Sequence, residues 1–508
     1  MILDLDPEIN IYYAQTLALI FFPGEKFSPG EEETEDTPRL TVHVRKTENG
    51  YAASASLKLG EKYAEAEREA LYRPEHYPNG HPPISSDRVR KIAVGAAIFA
   101  VCSEIRSYRP SWGMLTGVRP SKVAMSFLDE GMSKTRVKKI LNNEYLVIPK
   151  KASLAIDVAM NERRLVGDNE KKDCSVYISI PFCPTRCEYC SFVSYTSKRL
   201  LSLIPEYLLR LCDEIRGIFR KIRTLGLRVQ TVYIGGGTPT TLTTEELRVL
   251  LTTIAESTEV SALREFTVEC GRPDTIDAEK LRLIASFGVT RISVNPQSLC
   301  DEVLHGIGRA HSVDEFYRAY ATARESGLAV INTDLIAGLP GDSFKSFSLT
   351  MDKIIDLRPE NITVHTFAVK RSADILKRGE GIYSMRGGDV GKCVDYSQIR
   401  AQQAGYLPYY MYRQKNTVGN FENVGFALPG TEGLYNIYMM EEIHSIFSAG
   451  AGAVTKLVDV RTDPETGAIM NTIKRLFNPK YPYEYLREDS LSEKNAEIDA
   501  FYALYPFA

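Results

Sequence analysis

Three cysteines, Cys183, Cys187 and Cys190, stand at CxxxCxxC spacing directly behind the apolar run Val176-Tyr177-Ile178-Ser179-Ile180, in a loop punctuated by Pro181 and Pro184. Thiolates this close in sequence can wrap a compact metal centre, and Cys is the usual anchor of iron-sulfur clusters. Three ligands for a four-iron cube leave one iron open to a small molecule. Two blander readings compete. Separations of four and three also mark one helix face, where the cysteines would be plain apolar side chains, but the two prolines oppose a helix there. A structural zinc wants four closed ligands, and Cys174, the only other cysteine nearby, has a spacing unlike that of a zinc ribbon.

These residues need a scaffold, and the surrounding pattern supplies one. From about residue 174 to 370, short β-rich apolar runs alternate with helical patterns, the signature of parallel βα units. The expected strands are Val176 to Ile180, Gln230 to Ile234, Glu265 to Glu269, Thr290 to Val294, Val330 to Leu335 and Asn361 to Phe367. Between them the expected helices are Leu200 to Leu225, Thr244 to Glu256, Asp277 to Phe287, Val313 to Ser326 and Phe344 to Leu357. Six such units can curl into a partial barrel.

In parallel α/β barrels functional groups gather at the carboxyl ends of the strands, where the βα loops converge. Here the cysteine loop follows the first strand, and Gly235-Gly236-Gly237-Thr238-Pro239 follows the second. Glu269 closes the third, Gln297 follows the fourth, Asp334 ends the fifth, and His365 to Ala368 end the sixth. A glycine triplet admits a ligand close to the backbone amides, although alone it is equally a tight turn. Glu269, Gln297 and Asp334 taken singly read as cap or turn residues. Their shared place after successive strands turns them into one site. Carboxylates and an amide around one pocket suit a ligand bearing an amine and ribose hydroxyls.

Size and composition bound the function. At 508 residues the chain should hold two to four domains, which we divide as an amino-terminal accessory α+β region at 1–165, the barrel at 166–370 and a carboxy-terminal substrate and closure region at 371–508. Net charge is -3 with both signs mixed, so nothing favours nucleic acid. Met1 to Asp6 is acidic where a secretory signal is basic, and no apolar run reaches membrane-spanning length, Ile92 to Ser103 being the strongest candidate. Nine cysteines, an odd number in a long chain, argue against a disulfide framework. A reducing cytoplasm fits both the thiols and an oxygen-sensitive cluster.

At the amino-terminal end, Arg39 to Thr47 and Tyr51 to Leu59 flank Asn49-Gly50 and read as a β-hairpin; Glu31 to Asp36 reads as a solvated acidic loop, and Asp87 to Tyr108 as a long helix. The Arg109 to Lys122 loop, with its tryptophan and basic residues, reads as structural or interdomain, with an anionic partner such as RNA as the alternative. Beyond the barrel, Lys370 to Lys392 is rich in glycine and basic residues and is expected to form a mobile lid. Tyr406 to Arg413 interleaves rings with a guanidinium. It is first a tyrosine-rich strand, and alternatively a surface for a tetrapyrrole, with Arg413 or Lys415 meeting a propionate. Ser448 to Val454 permits close backbone approach.

Taken together, YxxxPFCxxxCxxC from Tyr177, GGGTP, NPQSLCDEVLHGIGRAH from Asn295 to His311, and TDLIAGLPG from Thr333 resemble the radical S-adenosylmethionine enzymes. Within them the chain is similar to the oxygen-independent coproporphyrinogen III oxidases over roughly residues 174 to 460. Their coproporphyrinogen dehydrogenase branch also carries the amino-terminal SWGMLTGVRPSK, here Ser111 to Lys122. The resemblance implies an α/β fold, a partial (β/α)6 barrel, with a 4Fe-4S cluster on Cys183, Cys187 and Cys190 and S-adenosyl-L-methionine on the open iron. It implies that Tyr189 lies near the adenine, that Gly236, Gly237 and Thr238 meet the methionyl end, and that Glu269 and Arg309 are its polar and ionic partners. Gln297 and Asp334 hold ribose hydroxyls, Ala368 and Val454 complete the adenine pocket, and Tyr177 lies close to the cluster and cofactor, the one position carried over as catalytic. The implied reaction removes a β-hydrogen and then carbon dioxide from two propionates of coproporphyrinogen III, giving protoporphyrinogen IX. A flavodoxin or ferredoxin is the implied electron donor.

Two departures matter. The oxidases continue their motif as CxxxCxxCxC, whereas Phe192 stands at the fourth position here. A related haem chaperone branch also lacks that cysteine but carries HNxxYW after the barrel, which Tyr410 to Val418 does not contain. The rival readings are therefore a haem carrier without turnover, and a radical enzyme acting on another substrate such as RNA.

Overall fold

The computed structural model describes residues 1–27, 36–72, 86–117, 119–167, 170–190, 192, 194–368, 387–414, 417–462, 469–487 and 491–505. The chain forms two compact units, Met1–Asn161 with Met411–Glu422, and Glu162–Tyr410 with Asn423–Ala508.

The first unit carries a four-stranded sheet, β1 (Ile2–Leu5), β2 (Arg39–Thr47), β3 (Gly50–Leu59) and β4 (Lys62–Leu71), in sequential order. β1 runs parallel to β2, and the expected hairpin joins β2 to β3 with Thr47 paired to Gly50. Alternate residues Leu40 and Val42 of β2 and Ala53, Ala55 and Leu57 of β3 point inward, where helix Ser86–Arg106 adds Val89, Ala93, Ala97 and Val101 to the core. The acidic stretch Glu31 to Glu35 lies outside the described residues.

Within the same unit the Arg109 to Lys122 loop has a structural centre. Trp112 is buried and its Nε1–H donates to Glu422 Oε2 at 2.7 Å, while Lys151 Nζ donates to Glu422 Oε1 at 2.6 Å. Arg413 donates to the carbonyl of Leu115 and lies 5.8 Å from the Trp112 ring. Tyr406 to Arg413 is thus the strand expected first, Leu407–Arg413, and the alternative in which Arg413 meets a substrate propionate is corrected: its guanidinium is buried and engaged, and burial lowers its pKa to about 10. Lys415 lies outside the described residues.

The second unit is built on the six expected parallel strands, β5 (Asp173–Ile180), β6 (Arg228–Gly236), β7 (Glu265–Val268), β8 (Arg291–Ser293), β9 (Val330–Ala337) and β10 (Asn361–Thr366). Each pairs parallel with the next. Helices Ile204–Thr224, Thr244–Ser257, Ala278–Ser286, Val313–Glu325 and Phe344–Leu357 occupy the connections. Their starts are set locally: Thr243 with Glu246 and Ser312 with Glu315 form capping boxes, and Asp277 caps the third.

Five strands from the carboxy-terminal region extend this sheet on both sides: β11 (Leu407–Arg413), β12 (Glu422–Ala427), β13 (Ser445–Ala449), β14 (Val454–Thr462) and β15 (Ile469–Phe477). The order is β11-β12-β10-β9-β8-β7-β6-β5-β13-β14-β15. β12 runs antiparallel to β10, and β13 parallel to β5. Of the expected lid, residues 370–386 lie outside the described residues, and the remainder opens helix Gly387–Gln403 instead.

The segment Thr431–Tyr435 forms a plug at the amino-terminal mouth of the barrel. Arg291 lies 3.3 Å from Glu265 and donates to the carbonyls of Thr431 and Glu432 at 2.7 and 2.9 Å. Glu265 accepts from the Leu434 and Tyr435 amides at 2.8 and 3.2 Å, satisfying the start of helix Leu434–Glu441. Tyr435 then enters the barrel and stacks on Tyr233 at 4.4 Å and on Tyr177 at 6.2 Å between ring centres. Among the described residues no helix is long and apolar enough to cross a membrane.

Candidate functional site

The cysteine loop leaves β5 and is fastened to the glycine loop that leaves β6. Gly237 N–H donates to Ile180 O and Thr238 N–H to Phe182 O, both at 2.8 Å. The approach is so close that a Cβ on Gly237 would lie 2.5 Å from Phe182 O. Gly236, at φ 110°, turns the chain where an L side chain is strained. This contact places the Thr238 hydroxyl 3.3 Å from Cys183 Sγ.

Cys183 and Cys187 are buried, and Cys190 is more open. Burial pushes the Cys183 thiol up to about 11 and raises Cys190, and each of the pair feels the charge of its neighbouring cysteines. Three mutually close thiols in a half-buried loop are unfavourable as free thiolates and favourable around a cationic centre. Among the described residues no set of three His, Cys, Asp or Glu surrounds a single metal ion. A cube takes one thiolate per iron and so spreads its sulfurs apart; the loop fits that group better than zinc.

Around the loop stand the strand-end residues. Glu269 follows β7, accepts from the Tyr233 hydroxyl, and leaves no room for a side chain at Gly235, whose Cβ would lie 2.9 Å from Glu269 Oε2. Burial raises the Glu269 carboxyl to about 7; the Tyr233 hydroxyl and the Gly236 amide oppose the rise, and the charge of Asp334 adds to it. Asp334 on β9 accepts from Asn295 Nδ2 at 2.9 Å and lies 3.9 Å from His365 Nε2.

Gln297 is the most unusual of the set. Its amide donates to Asp334 O at 3.1 Å and its carbonyl accepts from Ile336 at 3.1 Å, which pins it alongside β9 at φ 67°. A left-handed glutamine is strained, and this one is buried with Oε1 lacking a hydrogen-bond partner. Arg309 is buried as well, its Nε donating to the Tyr189 hydroxyl at 3.2 Å and Nη1 to Gly271 O at 3.4 Å. A buried guanidinium, a buried orphan amide oxygen and two carboxylates form a cradle for a zwitterion with hydroxyl groups.

Not every expected residue joins by direct contact. Tyr177 lies in the barrel interior, stacked with Tyr233 and Tyr435. Ala368 directly follows Phe367, whose amide bonds to Ala337 O at 2.9 Å, and Val454 opens β14 opposite Phe477. Four further residues shape the site. Tyr233 precedes Gly235 by two within β6, so strand alternation places both on one face and makes Tyr233 readable in sequence, whereas Asn295 lies beyond the end of β8 and is recognised only by its hydrogen bonds to Asp334. Arg272, which contacts Cys187, and Tyr435, which comes from the plug, carry no such signal.

Comparison with known proteins agrees with this geometry. The Radical SAM superfamily profile matches residues 177–354. The chain is 40% identical over 378 residues to the oxygen-independent coproporphyrinogen-III oxidase-like protein HemZ of Bacillus subtilis (strain 168), covering 74% of each chain. It is 30% identical over 329 residues to the heme chaperone HemW of the same strain, covering 64% of this chain and 81% of that one. The solved structure of coproporphyrinogen III oxidase (HemN) from Escherichia coli, a radical SAM enzyme, superposes with a TM-score of 0.50 at 21% identity over 66% of this chain and 72% of that chain, a likeness of fold. Proteins of this superfamily use a 4Fe-4S cluster and S-adenosylmethionine. The α/β partial barrel expected from the sequence is thus the radical SAM fold, and this chain belongs to that superfamily and, within it, to the family of the HemZ coproporphyrinogen-III oxidase-like proteins.

Proposed function

We propose that this protein catalyses the oxygen-independent oxidative decarboxylation of coproporphyrinogen III to protoporphyrinogen IX in a reducing cytoplasm. The observation that carries this reading is the cradle of Glu269, Gln297, Arg309 and Asp334 above three loop thiols, in a chain that aligns with a coproporphyrinogen-III oxidase-like protein over three quarters of its length.

Cys183, Cys187 and Cys190 hold the cluster, and the cradle orients S-adenosylmethionine. Bound together, these groups supply a 5'-deoxyadenosyl radical able to take hydrogen from an unactivated carbon. Arg309 neutralises the methionyl carboxylate, which Gly236, Gly237 and Thr238 flank. Glu269 accepts the methionyl ammonium, and that cation returns its raised carboxyl to the ionised form. Gln297 Oε1 and Asp334 accept from the ribose hydroxyls. Tyr189, Ala368 and Val454 border the adenine, and Tyr177 lines the interior beneath the cofactor. Each propionate loses one β-hydrogen atom to that radical, giving 5'-deoxyadenosine, then one carbon dioxide and one electron, which passes to a one-electron acceptor, leaving a vinyl group. The electron that activates the cluster comes from a flavodoxin or ferredoxin.

A haem carrier is the second reading. It is favoured by the similarity to HemW and by Phe192, which is 68% exposed where the oxidases place their fourth cysteine. Anaerobic reconstitution with iron, sulfide, a reductant, S-adenosylmethionine and coproporphyrinogen III tests both. The expected products are 5'-deoxyadenosine and, after reoxidation, protoporphyrin. Cofactor cleavage without protoporphyrin overturns the substrate, and stoichiometric haem uptake without turnover selects the carrier. Cofactor cleavage stimulated by RNA but not by the porphyrinogen would point to a different substrate class.

A further inference from the structure

Arg272 follows β7 in the same loop as Glu269 and is buried. Its guanidinium is fully used. Nε–H and one Nη2–H form a fork with Asp274 Oδ1 and Oδ2 at 3.2 and 3.0 Å. The second Nη2–H donates to Thr185 Oγ1 at 2.8 Å, and Nη1 donates to Thr185 O at 3.1 Å and to Cys187 Sγ at 3.5 Å. An arginine has five N–H groups in a rigid plane, and here each has an acceptor. Three of the five acceptor atoms belong to the cysteine loop, one of them the sulfur of Cys187.

We infer that Arg272 is a positioning residue that tunes the reduction potential of the cluster through Cys187. The inference rests on the assignment of Cys187 as a cluster ligand and goes beyond it. Reduction adds one electron, and part of that charge falls on the ligating sulfurs. A charge-assisted N–H···S hydrogen bond stabilises the reduced form, and hydrogen bonds to the sulfurs together with local charge are among the determinants of such potentials. Asp274 works in the opposite sense. Its carboxylate holds the fork in place and offsets part of the guanidinium charge.

This opposition separates a tuning role from a merely structural one. Arg272→Gln should disfavour reduction by about tenfold, which for a one-electron couple is a midpoint about 59 mV more negative. Arg272→Lys keeps the charge but cannot reproduce the fork, and should shift the midpoint in the same direction by less. Asp274→Asn unmasks the guanidinium and should move the midpoint the other way.

The experiment is a redox titration of the reconstituted full-length protein, monitored by the low-temperature spin resonance of the reduced cluster, with iron content measured for each variant. Opposite shifts in Arg272→Gln and Asp274→Asn support the inference. Midpoints equal to wild type in both, with full cluster content, overturn it while leaving the cluster assignment intact. Should Arg272→Gln fail to retain a cluster, an unchanged midpoint in Asp274→Asn overturns it and a less negative one supports it. Cys187→Ala distinguishes the two failures: retention of the wild-type signal in that variant overturns the ligand assignment itself, and the inference with it.

Discussion

Gly237 is the position where the site depends most sharply on the absence of a side chain. A Cβ there would sit 2.5 Å from Phe182 O and 2.9 Å from Phe182 C and N, all backbone atoms of the cysteine loop that no rotamer change can clear. Ordinary contact starts at 3.4 Å, so in Gly237→Ala one backbone must retreat by about 0.9 Å. That retreat strains two hydrogen bonds, Gly237 N–H to Ile180 O and Thr238 N–H to Phe182 O, each 2.8 Å long. Overpacking costs about 1–3 kcal/mol and each lost hydrogen bond about 0.5–1.5 kcal/mol, so the variant should lose about 2–6 kcal/mol. The same shift separates Thr238 from Cys183, so iron and acid-labile sulfide per chain should fall after reconstitution. Gly217 is the control. It lies inside helix Ile204–Thr224 with nothing within 4 Å of an added Cβ, and Gly217→Ala should gain about 0.5–1 kcal/mol through helix propensity alone. Urea unfolding of both variants checks the pair. A Gly237→Ala protein within about 0.5 kcal/mol of wild type that also takes up a full cluster would refute the proposed fastening of the two loops.

Three other outcomes are expected. The Glu269 carboxyl, held near 7 by burial, binds its proton more tightly in the fold than in the unfolded chain, where such groups titrate near 4.3. Stability without the cofactor should therefore fall as pH rises from about 4.3 through 7, by up to about 4 kcal/mol, and Glu269→Gln should not share that fall when urea midpoints are compared at pH 5 and pH 8. Gln297→Gly relieves a left-handed backbone and removes a buried orphan oxygen; it should raise stability by about 1 kcal/mol while weakening S-adenosylmethionine binding, as read by calorimetric unfolding and titration. Arg291→Met leaves Glu265 buried without its ionic partner and frees the plug at the barrel mouth. It should cost about 3–5 kcal/mol in chemical unfolding, and a loss under about 1 kcal/mol would show that the plug is held by other contacts.

The sequence by itself determined the elements and the list of strand-end groups. Strand alternation, helix periodicity and capping signals such as Thr243 with Glu246 are local, so β5 to β10 and the intervening helices could be read from neighbouring residues. Once the strands are parallel, the cysteine loop, the glycine loop, Glu269, Gln297 and Asp334 must share one end, because connectivity alone puts them there. Only the tertiary structure decided what those groups do to one another. The raised carboxyl of Glu269 needs burial and the nearby charge of Asp334, and the strained backbone of Gln297 needs hydrogen bonds to both Asp334 and Ile336. Arg272 reaches Cys187 across 85 residues of chain. Arg413, for which the sequence offered a propionate contact as the alternative to a plain strand residue, is buried beside Trp112 some three hundred positions earlier, and Tyr435 enters the barrel from a segment with no local signal. Desolvation and long-range pairing depend on which distant atoms close around a group, and a one-dimensional pattern of apolar and polar residues does not contain that information.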